Sequence, residues 1–418
     1  MLYERWRDTA EKYRDETALD DHVTRRRWTF GVLREAAERE PVAVAAVVYP
    51  QGNPPQFIIT LLAAWRDGKI SCPLEHGQAV PELPGILPPC VHLKLTSGTT
   101  GAPRLIAFTA GQLMADAENI VATMGLRRDW PNVGVISLAH SYGFSNLVLP
   151  LLLHGVPLIC ASPLPEPFRQ ATAAGGRVTV ASVPALWRTW HEAGAITPNI
   201  RLAISAGAPL PVQLEQAVFN ATGVKLHNFY GSSECGGIAY DADELPRTDD
   251  SFAGTPLQTV ALSINAAGRL VVGSRAVGFE CGAAAPNPDG EYFVTSDLVE
   301  LDGARVHLRG RAGDVMNIAG RKLSPGVVET ALLRHASVRE CVVFGVPSGD
   351  ANRVDEIAAC IVANPGTTAE ELRQFLAGQL DAWQLPRHWH FVETLEIGPR
   401  GKVSRAGWRA RCSPLGRR

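Results

Sequence analysis

No long apolar run breaks up this sequence. The longest candidate, residues 146–161, is interrupted by Pro150, His154 and Pro157. That leaves it short of the roughly 20 unbroken apolar residues a bilayer-spanning helix needs. No charge of one sign dominates either: 40 Lys and Arg face 42 Asp and Glu, a formal net charge of -2. Without a global basic field, nucleic acid is not an expected partner. The clusters at Arg25, Arg26 and Arg27 and at Arg417 and Arg418 read as solvated surface. The eight cysteines include no C-x-x-C pair, so neither a zinc ribbon nor a dithiol redox site is signalled. Spread along a long chain, they suit reduced thiols of a cytosolic protein. The first 21 residues are too charged for a signal peptide. A cytoplasmic protein is expected, with neither internal repeat nor low-complexity segment.

What is present is enough apolar material for a large core, 46% of 418 residues. Length suggests two or three domains. Up to about Arg309, short apolar runs alternate with helical patterns. Strands are expected at residues 42–49, 133–138, 178–182, 200–207 and 224–231. Helices are expected at 57–65 and 146–153, with another opened by Pro184. This alternation predicts an α/β domain with a largely parallel sheet, whose ligands bind in loops beyond the strand carboxyl ends. The tail changes character: short strands around a Gly-rich turn, a helix at 325–333, strands at 341–346 and 355–363, and a capping box of Thr368 with Glu371. The expected architecture is therefore a large N-terminal α/β domain, residues 1–310, followed by a small mobile α+β domain, residues 311–418.

The strongest chemical signal is LKLTSGTTGAPR, residues 93–104. Val91, Leu93 and Leu95 alternate with polar residues as in a strand, which then breaks into Thr96, Ser97, Gly98, Thr99, Thr100 and Gly101. Glycines let backbone N–H groups approach an anion closely, and hydroxyls add donors. That combination suits a polyphosphate, yet the loop has neither a Walker Gly-Lys-Ser/Thr ending nor G-x-G-x-x-G. Further on stand LAHSYG around His140, SAGAPL with Gly207, NFYGSSE at 228–234, YFVTSD ending at Asp297, RGRAGDVMNIAGRKLSP from Arg309, and PRGKVSR at 399–405. Singly, most of these are weak: a lone His is as often a satisfied core or surface residue, and a lone Lys is usually just exposed.

In this order the motifs resemble those of the adenylate-forming superfamily, which includes acyl- and aryl-CoA ligases, nonribosomal peptide adenylation domains and luciferases. The resemblance runs from Val91 to Arg405. It implies that Thr96, Ser97, Gly98, Thr99, Thr100 and Gly101 hold the phosphates of ATP, with Arg104 where the family usually has Lys. It implies that Gly207 belongs to the loop lining adenine and the acyl group, and that His140 lies near the acyl pocket with Tyr142, Ser205, Ala206 and Gly231. Tyr230 would stack on adenine, Asn228 would bond its exocyclic amine and Ser233 would touch phosphate. Glu234 would hold Mg²⁺, a hard cation that takes carboxylate and phosphate oxygens together. Asp297 and Arg311 would face the ribose; Ser296 stands where the family has glycine. Gly320 would pass the pantetheine arm, and Arg321 and Lys322 would meet CoA phosphates or remain a solvated pair. Gly313 stands at the hinge where the family often has Asp. Lys402 would bridge the carboxylate and the α-phosphate. Cys235, with no base in view, reads as packing.

The implied activity is two-step. A small carboxylic acid attacks ATP to give acyl-AMP, and a thiol then expels AMP. The thiol is that of CoA or the phosphopantetheine of an acyl carrier protein. A catalytically silent nucleotide-binding homologue is the rival from another class. Less chain precedes Thr96 than in typical members, which implies a shortened N-terminal region and an altered acyl pocket or homodimer surface.

Overall fold

A computed structural model describes residues 1–96, 104–173, 175–281, 292–348, 355–395 and 404–412. Five residues expected to hold phosphate (Ser97, Gly98, Thr99, Thr100 and Gly101) and Lys402 lie outside the described residues.

The fold is α/β, built on a large mixed sheet of 13 strands and a second sheet of five. Parallel pairing runs through the middle of the large sheet. Thr17–Asp21, Leu158–Cys160, Asn132–Gly134, Val178–Ser182, Ile200–Ser205 and Leu226–Ser232 follow one another in register. From Leu226–Ser232 onward the pairing turns antiparallel, through Gly236–Tyr240, Phe252–Pro256, Arg305–Arg311 and Tyr292–Asp302. A largely parallel sheet was expected, and the parallel part is only the half in which helices separate the strands. Past Tyr230 no helix separates the described strands of this sheet up to Arg311, and the short turns at 233–235, 265–268 and 303–304 join antiparallel neighbours.

Local chemistry sets several elements where the sequence placed them. Pro184 opens the helix Pro184–Glu192. Asn53 caps Pro54–Arg66, over the helix expected at 57–65; the helix Ala110–Met124, not foreseen, starts at a capping box of Thr109 with Gln112. The predicted box of Thr368 and Glu371 starts Ala369–Ala377. Two predicted strands are much shorter than expected. Residues 42–49 contribute only Val47–Val48, and 133–138 only Asn132–Gly134. In both, β-branched residues favour extension, but the ladder runs out of partner backbone. The helix expected over 146–153 is part of a longer run. Ser141–Gly143 passes through a π-helical segment, Phe144–Val148, into Leu149–His154. Such segments widen a helix by one residue per turn and cluster at functional sites.

Two cores flank the large sheet. One face is packed by Trp6, Phe30, Leu61, Leu62, Phe144 and Leu151, all essentially excluded from water. On the other, Phe168 stacks on Trp190 at 3.6 Å between ring centroids, with Trp187 edge-on. Beyond Arg311, Met316–Ile318 pairs with Arg321–Leu323, and Asp355–Ala363 lies between Val338–Pro347 and His388–Phe391, around a core of Val328, Leu332, Val343 and Ile361. The strand Arg305–Arg311 belongs to the large sheet, although a change of character was expected near Arg309. Arg334 ties the C-terminal part to the N-terminal part by an ion pair to Asp250 at 3.0 Å. No described helix is long and apolar enough to cross a membrane. The eight cysteines are free thiols.

Candidate active site

The site is assembled where the parallel run of the sheet gives way to the antiparallel one. Leu226–Ser232 is the last parallel strand, and its carboxyl end carries Tyr230 and turns through Ser233 and Glu234 into Gly236–Tyr240. Glycine is required in this turn. Gly236 sits at φ +69°, and a Cβ there would meet the Asp116 carboxylate at 2.1 Å. A Cβ on Gly231 would lie 2.6 Å from the Gly236 carbonyl oxygen.

Asp297 joins three separate motifs. It stands on Tyr292–Asp302 directly opposite Arg311 in the ladder. Its Oδ2 accepts from the Tyr230 hydroxyl at 2.6 Å, and its Oδ1 from Arg311 Nε at 3.0 Å. Burial, together with the neighbouring Asp297 charge, pushes the Tyr230 phenol well up from its ordinary value, so it remains a neutral donor. Asn228 is buried, and its Nδ2 donates to the carbonyls of Phe252 and Ala253 at 3.3 and 3.4 Å. With that amide nitrogen engaged, Oδ1 remains as the acceptor an exocyclic amine requires.

Glu234 is nearly buried and paired with Arg104. The guanidinium spans two carboxylates, with Nη2 3.0 Å from Glu234 Oε1 and Nη1 3.1 Å from Glu280 Oε2. The sequence marked Arg104 only as a lysine replacement; this bridge and Glu280 were not foreseen. Among the described residues no three His, Cys, Asp or Glu side chains converge as a metal cluster. The single carboxylate of Glu234 fits Mg²⁺, which binds through one or two carboxylates and substrate phosphate and keeps several waters. Cys235 next door is fully buried and burial pushes its thiol up to about 12, as expected for a packing residue.

The segment around His140 approaches the same turn. Ser141 Oγ donates to Ser233 Oγ at 3.0 Å, and His140 Nε2 lies 3.3 Å from Glu75 Oε1. Tyr142 is pinned to the carboxyl ends of two parallel strands, its hydroxyl 3.3 Å from the Ser182 carbonyl and 3.4 Å from that of Ile204. Ser205 is buried, and Gly207 follows at φ +84° with Val183 against it. Tyr230, Asp297 and Arg311 are thus gathered by direct hydrogen bonds, while Ser233 and Glu234 follow Tyr230 at the end of the same strand, with Ser141, beside His140, bonded to Ser233. Gly320 is not brought into that group. It sits at φ +83° at an exposed hairpin tip, its N–H bonded to Asn317 Oδ1 at 2.9 Å, with Arg321 and Lys322 exposed beside it. Gly313 is open to solvent on its Cβ side.

Next to Gly313, Asp314 accepts from Arg405 Nη1 at 2.7 Å, while Glu329 accepts from Nη2 at 2.6 Å. Arg405 also donates to the Val343 carbonyl at 3.2 Å. The last residue of the PRGKVSR motif is therefore an anchor, fixing the chain three residues past Lys402 to the residue beside the expected hinge.

Two buried charge clusters went unread in the sequence. Lys225 contacts Glu215 and Asp241, and Arg247 bridges Glu215 and the carbonyls of Leu210 and Phe252. This props the loop after Gly207 against the strand that holds Asn228. Lys94, on His92–Thr96, is buried with Asp116 and Ser145; burial lowers its ammonium below the ordinary lysine value. Its alternation with Leu93 and Leu95 resembled a solvent-facing position, but both faces of this strand are covered.

The AMP-binding enzyme family model matches residues 89–278, and the AMP-binding enzyme C-terminal domain model matches residues 327–402. A probable 2-succinylbenzoate–CoA ligase of Mycobacterium tuberculosis is 31% identical over 331 residues, covering 74% of this chain and 82% of that protein. A sulfoacetate–CoA ligase of Cupriavidus necator is 27% identical over 395 residues, covering 89% of this chain and 74% of that protein. Among solved structures, ATP-bound MatB from Rhodopseudomonas palustris superposes with a TM-score of 0.85 at 18% identity, covering 100% of both chains. The o-succinylbenzoate CoA synthetase MenE of Bacillus subtilis, with its acyl-adenylate, gives 0.84 at 18% identity and 97% of both chains. At such identities these structures speak to the fold.

Proposed function

The chain belongs to the AMP-binding enzyme family and is an ATP-dependent acid–thiol ligase, and we propose that it activates an aryl or medium-sized carboxylic acid and hands it to coenzyme A. The observation that carries the site reading is Asp297, whose two oxygens are taken by Tyr230 and Arg311. That brings the adenine-stacking, ribose-binding and hinge-side motifs to one point. An aryl or medium acyl group suits the mixed sizes of His140, Tyr142, Ser205, Ala206 and Gly231, and the M. tuberculosis relative is named for an aryl acid.

In the first half-reaction the substrate carboxylate attacks the α-phosphorus of ATP and pyrophosphate leaves. The transition state gathers charge on the phosphoryl oxygens, so positioning and electrostatics supply the catalysis. Backbone amides and hydroxyls of Thr96, Ser97, Gly98, Thr99, Thr100 and Gly101 grip the β- and γ-phosphates. Lys402 bridges carboxylate and α-phosphate. Glu234 would hold Mg²⁺, which neutralises phosphate charge when bound. Asn228, Tyr230 and Gly207 hold adenine, Ser233 touches phosphate, Asp297 and Arg311 hold the ribose, and His140 borders the acyl group.

In the second half-reaction the CoA thiolate attacks the acyl carbonyl and AMP leaves. We assign residues 1–310 to the large domain and 311–418 to a lid turning about Gly313. That turn withdraws Lys402 and brings the Gly320 hairpin to the thiol channel.

The test is ATP–pyrophosphate exchange with aryl, short, medium and β-hydroxy acids, followed by acceptor trials with CoA and with a carrier protein. Exchange with an aryl or medium acid and thioester formation with CoA support the proposal. Exchange with no acid in the panel overturns it, and transfer to the carrier protein alone replaces CoA as the acceptor.

A further inference from the structure

Lys94 is a poor choice for a core position. It is 5% exposed, its ammonium 3.4 Å from Ser145 Oγ and 4.0 Å from Asp116 Oδ2, and 4.5 Å from the Phe108 ring centroid. These contacts are long for a charge that has lost its water, and buried pairs of this kind are often matched or improved upon by apolar side chains of similar size. Stability alone does not account for it.

Its location does. Lys94 stands two residues before Thr96, and alternation along the strand puts both side chains on one face. Thr96 Oγ1 is buried and, among the described residues, has no hydrogen-bond partner. Asp116, on the helix Ala110–Met124, uses its two oxygens separately. Oδ2 accepts from Ser145 Oγ at 2.6 Å and faces Lys94; Oδ1 accepts the Gly237 N–H at 3.0 Å. Gly237 lies just past the Glu234 turn, and Gly236 packs so closely on this carboxylate that no side chain fits. Ser145 belongs to the π-helical segment that follows His140.

We propose that Lys94, Asp116 and Ser145 form a buried positioning clamp that sets the distance between Thr96, at the end of the strand His92–Thr96, and the Glu234 turn for one bound ATP. The proposal rests on the nucleotide site described above. One carboxylate ties the strand entering the loop, the turn bearing the acidic residue and the helical segment behind His140. Because the loop and Glu234 must grip the same triphosphate, an error in their spacing costs ATP affinity before anything else. None of the three residues touches substrate in this reading.

The experiment uses the full chain with Lys94→Met, Asp116→Asn and the double variant. Direct ATP binding by calorimetry, without acid, is measured beside KM values in pyrophosphate exchange, thioester formation from preformed acyl-AMP, and thermal unfolding. Each single variant is expected to weaken ATP binding about tenfold, with KM for the acid and the second half-reaction within about twofold of the parent. The double variant keeps an Oδ1 acceptor for Gly237 and leaves no unpaired charge, so it returns to within about threefold. If either single variant does not fold, Ser145→Ala, which removes the bridging hydroxyl without changing charge, carries the same comparison. The proposal is overturned if ATP binding is unchanged, if all parameters fall together with thermal stability, or if KM for the acid alone rises. A parent that binds ATP but exchanges pyrophosphate with no acid counts against the ligase reading and leaves this comparison of ATP affinities to decide the clamp.

Discussion

Arg104 Nη2 lies 3.0 Å from Glu234 Oε1 across 130 residues of sequence. The strand leaving the phosphate loop is thereby locked to the turn that bears the proposed magnesium ligand. The Arg104 guanidinium is half exposed, so water can take over its hydrogen bonds when it lets go, whereas the nearly buried Glu234 carboxylate needs a positive partner in its place. Arriving MgATP would therefore exchange one positive partner of Glu234 for another.

Glu234→Gln removes the charge but keeps the size. Adenylation should fall about 100-fold, the scale of losing one preorganised electrostatic contact, and half-saturating Mg²⁺ should rise. Thioester formation from preformed acyl-AMP should fall far less. Pyrophosphate exchange across a magnesium titration checks both.

Asp297→Asn strips the charge from the Tyr230–Asp297–Arg311 joint and should raise KM for ATP about tenfold, in line with the loss of charged hydrogen bonds. Tyr230→Phe removes one donor only and should cost about threefold. Parallel Kd values for AMP decide the order; equal effects of the two changes would place the ribose elsewhere.

Lys402→Ala should abolish acyl-AMP formation while sparing thioester formation from preformed acyl-AMP. Rapid-quench measurement of each half-reaction separates the two. Equal loss in both removes the assigned division of labour between lid positions.

Arg405 anchors the same segment through Asp314 and Glu329. Burial already pushes the Glu329 carboxyl up, and Arg405 opposes this. Arg405→Met should destabilise the C-terminal part by about 2 kcal/mol, the scale of losing hydrogen bonds between charged groups, with the guanidinium a third exposed. Urea denaturation followed by amide hydrogen exchange in the strand Asp355–Ala363 reads this.

His92 is fully buried, stacked on Phe144 at 4.2 Å and bonded through Nδ1 to Ser71 at 2.8 Å. Burial holds its imidazole well below the ordinary 6.5, with Lys94 adding to the effect. The unfolded chain takes up a proton near pH 6.5 that the folded chain refuses. Stability from this group is therefore intact above that pH and lost as pH falls through it. The loss grows by ~1.4 kcal/mol per unit. His92→Gln should flatten the decline in unfolding free energy between pH 7 and 5.5; an unchanged slope rules out His92 as its source.

Much of this site was legible from residue order alone. Pro184 and the Thr368–Glu371 box act through backbone geometry within a few residues, so sequence carries them directly. The motif elements from Thr96 to Arg405 are likewise short, and their succession identified the chemistry. Strand lengths at 42–49 and 133–138 were misjudged because β-propensity says nothing about where the neighbouring strand ends.

Composition and motif order by themselves determined the α/β class, the balanced charge and the adenylating chemistry, since each depends on residue type and local spacing. Only the tertiary structure decided that Arg104 would meet Glu234, that Asp297 would join Tyr230 to Arg311, and that Lys94 would be buried against Asp116. Those pairings span tens to more than a hundred residues, and charges find such partners only after packing has excluded water from between them.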